Sequence, residues 1–302
     1  MMAKTLDIPA ANGGFSVREV VRLAFFVRRP HRAMAQDAVH SIGLVVDALP
    51  PPLLSMFAIE SGDWLDFDAE GLKAQTMQRL VGADCPINGS ASLSGDQANL
   101  PDAALEYAGL AIDRPTFNAA ACMLTFHVGA SVVQSHWPQL HRLFEQIVTT
   151  LAADAAYMDI ALIGDQTRCQ SMSRRFLCVD ISQPRAVARD IGDRLPGVFW
   201  CNYIGPAILA TLGGEEKVSR ALSPTSSFQM TSNGGAYVVL GAAPSRGDTN
   251  LAEGVGDRAT IARLAHSADA LHVPKRIIYF EAEDSLDDAE AQENWHLRYT
   301  KQ

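Results

Sequence analysis

The sequence predicts an α+β fold: a mixed, largely antiparallel sheet with helices packed on it. Three observations point there. β-Prone runs and amphipathic helical stretches alternate along the chain as strand–helix–strand–helix, then strand pair–helix, then strand–helix–strand pair–helix. Several strand candidates come as adjacent pairs with turn residues between them. And 48% of the 302 residues are hydrophobic, enough to bury a large core.

The elements follow in order. Val20–Val27 (VVRLAFFV) reads as a buried strand closed by Arg28-Arg29-Pro30. His31–Leu49 has apolar residues at helical spacing and stops at Pro50-Pro51-Pro52. Leu53–Ile59 is a strand, Asp63–Asp68 an acidic and aromatic turn, Ala69–Leu80 a helix. Gly82–Pro101 is rich in Gly, Ser and Asn and reads as a surface loop. Ala104–Ile112 and Ala121–Val128 are paired strands. Gln139–Ala153 places Leu140, Leu143, Phe144, Ile147 and Leu151 on one helical face. Met158–Ile163 is a strand, Thr167–Arg175 a short helix, Phe176–Ile181 a strand and Gln183–Leu195 a helix. Ile204–Leu212 is helical and is stopped by Gly213-Gly214. Ser226–Thr231 and Ala236–Gly241 flank Ser232-Asn233-Gly234-Gly235, a hairpin signal. Leu251–Ala270 is a helix and Arg276–Phe280 a last strand.

These elements are organised as a disordered N-terminus over residues 1–15, one α+β domain over 16–280, and an acidic C-terminal tail over 281–302. The domain reads as two loosely related halves. Nothing in the letters repeats, and no Pro-, Ser- or charge-rich linker divides it.

Composition narrows function. The net charge of −9 argues against a nucleic-acid-binding protein, which needs a basic face for phosphates, and suits a basic partner. Five scattered cysteines without a CxxC point to reduced thiols and neither a disulfide framework nor a metal site. The N-terminus lacks the apolar core of a signal peptide, and no apolar run approaches the roughly 20 residues of a membrane span, so the expected location is cytoplasmic.

Catalytic signatures are absent. His136 and His141 lie five apart, where a zinc helix needs i, i+4. No G-x-S-x-G elbow surrounds a serine. Gly205, Gly213 and Gly214 have neither GK[ST] nor the spacing of a phosphate loop. Two acidic stretches remain as candidate contacts. Asp63, Trp64 and Asp66 form an aromatic flanked by carboxylates. Glu281, Glu283, Asp284, Asp287, Asp288, Glu290 and Glu293 carry no base among them and lead to Trp295, a residue type enriched at interface hot spots.

The stretch from Val198 to Asn250 carries a resemblance. Trp200-x-Asn202, Ile204-Gly205-Pro206, Leu212-Gly213-Gly214, then Gly241, Pro244 and Gly247-Asp248, taken as an ordered set, resemble the immunity proteins of type VI secretion systems that are paired with VRR-Nuc nuclease effectors, a family formerly filed as a domain of unknown function. Tyr107-Ala108-Gly109-Leu110 looks like that family's upstream strand. The first 15 residues and the tail after Lys275 carry no match.

The resemblance implies a non-enzymatic inhibitor without cofactor or metal, monomeric or homodimeric. It would bind a cognate nuclease toxin and block it by occluding its DNA-binding groove and active site, without touching nucleic acid or membrane itself. The motif residues read as structural. The contacts are expected at Asp63, Trp64 and Asp66, in the Gly82–Pro101 loop, and at Glu283, Asp284, Asp287, Asp288 and Trp295. The alternative is an enzyme or small-ligand-binding domain with a cleft where Asn202, Tyr203 and Asp248 converge.

Overall fold

The computed structural model describes residues 5–11, 13–48, 53–58, 63–66, 74, 77, 80–81, 85–96, 100–133, 137–273 and 288–300. Among the described residues its frame is one open, eleven-stranded antiparallel sheet. The strands are β1 (Ile8–Pro9), β2 (Phe15–Val27), β3 (Met56–Ala58), β4 (Trp64–Asp66), β5 (Gly89–Ser94), β6 (Ala103–Gly109), β7 (Cys122–Gly129), β8 (Ala155–Gly164), β9 (Cys201–Ile204), β10 (Ser227–Met230) and β11 (Ala236–Val239). The main path runs β10-β11-β9-β8-β2-β7-β6-β5-β3-β4, with β1 paired to β2 off the path. β2 and β8 lie at the centre, antiparallel over ten residue pairs, Val17 opposite Gly164 to Phe26 opposite Ala155.

Besides two single turns at Ala130–Val133 and Pro184–Val187, the helices among the described residues are α1 (His31–Ala48), α2 (Trp137–Leu151), α3 (Gln166–Arg175), α4 (Pro206–Thr211), α5 (Gly214–Ala221), α6 (Asp257–Ser267) and α7 (Asp288–His296). α1 and α2 cover one face of the sheet. Alternation in β2 sends Val21, Leu23, Phe25 and Val27 to this face, and β7 adds Leu124, Phe126 and Val128. Against them α1 buries Met34, Ala38, Ile42 and Val45, and α2 buries Leu140, Leu143, Phe144, Ile147 and Leu151. Phe25 and Phe144 meet with ring centroids 5.4 Å apart.

The opposite face is covered differently. Segment 176–199 lies over β2, β7 and β8, burying Val187, Ala188, Ile191 and Phe199 against Ala24, Phe26, Met123 and Tyr157. Phe199 stacks on Tyr157 at 3.6 Å between centroids. Toward β9–β11, α4, α5 and α6 bury Ile208, Leu209, Val218, Ile261 and Ala265 with Leu297 and Tyr299 of the C-terminal stretch.

Several expectations are corrected. Gly89–Ser94, inside the expected loop, is a strand: Ala91 and Leu93 alternate into the apolar core although Ser and Gly hide the pattern. Trp64–Asp66 pairs with β3 instead of forming a turn, because Leu65 reaches the same core opposite Phe57. Phe176–Ile181 makes only isolated bridges, Phe176 to Asp248 and Asp180 to Ala161; its apolar side chains fill the space over the sheet. Of Gln183–Leu195 only Pro184–Val187 is helical. Ile204 closes β9 rather than opening a helix. Within the first fifteen residues, expected to be disordered, Ile8–Pro9 pairs with β2, and the Leu6 amide donates to Glu19 at 2.9 Å. The strand expected at 276–280 lies outside the described residues, as does most of the helix expected at 69–80.

Candidate interaction surface

Charge in this chain is sorted by burial. Arg22 stands opposite His127 of β7 and Asp159 of β8, so three adjacent strands place a polar row on the face away from α1 and α2. The cover completes that row. Arg22 donates to Asp180 (2.7 Å) and to the Ser182 carbonyl (2.8 Å), and the Tyr157 hydroxyl donates to the same Asp180 oxygen at 2.7 Å. Arg258 of α6 donates to Asp159 at 2.9 Å, and the Trp200 amide donates to the same carboxylate oxygen at 2.8 Å. Burial pushes Asp159 above the usual carboxylate range, against the pull of Arg258. Arg22 and Arg258 both lie above the usual guanidinium value, because their carboxylate partners outweigh burial.

Two more pairs complete the set. Arg246 donates to Glu19 at 2.7 Å, and Arg175 grips Asp248 at 2.9 and 2.7 Å. Among the described residues, the buried carboxylates are Glu19, Asp159, Asp180 and Asp248, and each has its own arginine. The fold therefore uses acid and base in equal number, and the whole excess of nine negative charges lies outside these pairs.

The glycine-centred motif serves the fold. Trp200 donates its indole N–H to the Gly241 carbonyl at 3.1 Å and packs edge-on against Trp137. Asn202 accepts from the Phe199 amide (3.0 Å) and donates to the Phe199 carbonyl (2.7 Å), pinning the turn that enters β9. At Gly205 a Cβ would lie 2.3 Å from the Asp154 carbonyl oxygen, so only glycine lets the chain pass there. Leu212 is fully buried between α4 and α5, and Gly213, at φ 98°, turns the chain from one helix to the next with Gly214 at φ 83°. Gly241 donates its amide to Ser226 Oγ at 3.2 Å. Pro244 is half-buried in the following turn. The Gly247 carbonyl accepts from the Leu177 amide, and Asp248 also accepts from the Asn250 amide at 2.9 Å. The Arg175 hydrogen bonds hold the Asp248 carboxyl below its usual range.

The cleft sought at Asn202, Tyr203 and Asp248 does not form. Asn202 and Tyr203 are consecutive in β9 and point to opposite faces. Asn202 bonds to Phe199, Tyr203 to Asn233 and Asp248 to Arg175; all three are buried.

The acidic candidates are placed unequally. Asp63, Trp64 and Asp66 are exposed at the β4 end of the sheet, with Trp64 37% accessible while Leu65 between them points to the core. In the Gly82–Pro101 region Ile87 and Asn88 are exposed, and the Asn88 side chain accepts from the Ala111 amide at 2.8 Å. Glu283, Asp284 and Asp287 lie outside the described residues, and Asp288 begins α7. Trp295 is buried against Arg298, whose guanidinium sits 3.9 Å from the ring centroid, and so holds the chain's own C-terminus instead of offering an exposed anchor. The arginine–carboxylate row was missed in the sequence. Its signal was a lone charge inside each of two apolar strands, Arg22 in VVRLAFFV and Asp159 in AAYMDIALIG.

Comparison with known proteins bears on these features. Over 98% of its length the chain superposes on 88% of "Pseudomonas aeruginosa T6SS protein PA0821", with a TM-score of 0.75 and 16% sequence identity, a likeness of fold. A search of curated proteins finds no match. Among the described residues no helix is long and apolar enough to cross a membrane. Residues 38–299 match the family TsiV, described as type VI immunity for VRR-NUC; the match spans α1 to the C-terminal stretch and takes in every motif residue from Trp200 to Asp248, and the chain belongs to this family.

Proposed function

We propose that this protein binds the nuclease domain of a VRR-Nuc effector in the cytoplasm and neutralises it by covering its DNA-binding groove and active site, with no chemistry of its own. The observation that carries the reading is the sorting of charge. Among the described residues each buried carboxylate is matched by an arginine, so the net −9 comes from residues outside these pairs and is free to complement a basic, phosphate-binding groove. The family's role as type VI immunity for VRR-NUC supports the choice of partner.

The β4 edge with Asp63, Trp64 and Asp66 supplies one contact, an aromatic anchor between two carboxylates. The acidic residues Glu283, Asp284, Asp287 and Asp288 supply long-range attraction. The test is co-expression with the cognate nuclease domain, scoring growth and complex formation. Wild type restores growth and co-purifies. The triple variant Asp63→Lys, Trp64→Ala, Asp66→Lys keeps its fold and binds at least about tenfold more weakly. Failure of folded wild type to bind or rescue sinks the whole reading; unchanged binding by the triple variant removes β4 from the interface.

A further inference from the structure

We infer that the β10 edge of the sheet is a second docking site, and that its occupant is an extended segment of the basic nuclease domain; the inference rests on the partner proposed above. The two ends of the sheet path differ in kind. At β4 the edge carries carboxylates, which discourage strand pairing. At β10 the edge is Ser227-Phe228-Gln229-Met230, with no charge and no proline, and Ser227, Gln229 and Met230 are exposed.

The register shows which groups are on offer. The Thr231 amide donates to the Gly235 carbonyl at 2.8 Å and closes the β10–β11 hairpin. Hydrogen-bonded pairs alternate along an antiparallel ladder, so Gln229 with Tyr237 and Ser227 with Val239 are the bonded pairs. The amides and carbonyls of Phe228 and Met230 then point away from β11. Among the described residues, no strand pairs with that outer side.

The edge is also pre-set. Asp257 accepts from the Ser223 amide (2.8 Å), Ser223 Oγ (2.7 Å) and Ser226 Oγ (2.6 Å) just before β10. Beyond it, the Asn233 side chain accepts from Thr231 Oγ1 at 2.6 Å and donates to Tyr203 Oη at 2.9 Å. A held edge loses little conformational freedom when a strand adds to it.

Charge selects the occupant. A second copy would bring two chains of net charge −9 together through a four-residue strand. Such a strand supplies only a small part of the roughly 1,200 Å² of a stable interface. A basic partner meets the same neutral edge with the attraction of opposite net charge in place of that repulsion, and it has other contacts to add.

Amide hydrogen exchange tests this, measured on the free protein and on its complex with the purified, catalytically inactivated nuclease domain of its effector. The Phe228 and Met230 amides exchange fast alone and at least about tenfold more slowly in the complex. Met230→Pro, which removes one outward N–H and leaves the β11 ladder intact, raises Kd about tenfold, while Met230→Leu leaves it unchanged. A complex that forms with exchange at both amides unchanged overturns the docking site and leaves the partner standing. Folded wild type that forms no complex overturns the partner itself. Protection in the free protein that grows with its own concentration assigns the edge to a second copy and overturns the occupant. Should Met230→Pro fail to fold, the exchange data decide alone.

Discussion

The two faces of the central sheet are held by different physics. Against α1 and α2, β2 and β7 present valine, leucine and phenylalanine, and the packing is apolar apart from hydrogen bonds at its margins, His31 with Tyr107 and the Tyr237 hydroxyl with the Glu145 carbonyl. On the other face the same strands present Arg22 and His127, β8 presents Asp159, and the cover is fastened by ion pairs and hydrogen bonds to Asp180 and Arg258. The difference matters because apolar burial is tolerant and non-directional, whereas a buried charge is costly unless its partner is in place. The ion pairs therefore fix how segment 176–199 and α6 sit, while apolar burial supplies cohesion on both faces.

The largest effect should come from breaking an ionic pair. Asp159→Ala leaves Arg258 and the Trp200 amide buried without their acceptor and should cost about 3–5 kcal/mol in chemical denaturation. Replacing both partners, Asp159→Leu with Arg258→Met, should recover most of that loss. A double variant no better than the single one would mean the face needs its charges for more than mutual compensation.

Phe144→Ala on the apolar face should cost a comparable or slightly smaller amount, about 3–4 kcal/mol. Here a second truncation, Phe25→Leu, should deepen the loss. Rescue by that second change would erase the distinction between the faces.

A smaller effect is expected from pH. Burial first, then the positive charges of Arg22 and Arg18, push His127 down to about 3, and its Nε2 is shut from solvent. His31, on the apolar side, is lowered chiefly by burial. A histidine depressed in the folded state stays neutral while the unfolded chain takes up a proton below about pH 6.5. Stability should thus be full above that value and fall toward pH 5, by up to about 1.4 kcal/mol per pH unit for each such group. His127→Gln should flatten the slope by close to one proton. An unchanged slope would show that His127 already titrates normally.

The mildest probe is thiol alkylation. Cys122, Cys169, Cys178 and Cys201 are buried, and burial raises Cys122 to about 11 and Cys169 to about 12, while Cys85 is half-exposed. Native protein treated with iodoacetamide should gain one adduct, at Cys85, by mass spectrometry. A second adduct at Cys169 or Cys178 would show that the cover over the ionic face opens more readily than the apolar face.

Legibility in the sequence followed the same division. The helical period of α2 and the Asn-Gly hairpin between β10 and β11 could be read directly, because one amphipathic face or one turn decides each of them. Features that depend on distant partners could not. Ser and Gly mask β5, whose identity comes from pairing with β6. Phe176–Ile181 has the composition of a strand and lies as a cover, because Asp180 is held by Arg22 from another element. The ordered glycine motif pointed to the family, and its residues are occupied with turns and close backbone passages. Trp295 looked like an anchor by type and is spent inside the molecule, which only its docking against Arg298 reveals.

Because every buried carboxylate described has its own arginine, recognition and folding can change on separate schedules. An exposed aspartate or glutamate that accepts no hydrogen bond from a buried group can be exchanged for roughly 0.5 kcal/mol or less. A lineage facing an altered toxin can rewrite its outer charge one residue at a time, and each intermediate still folds.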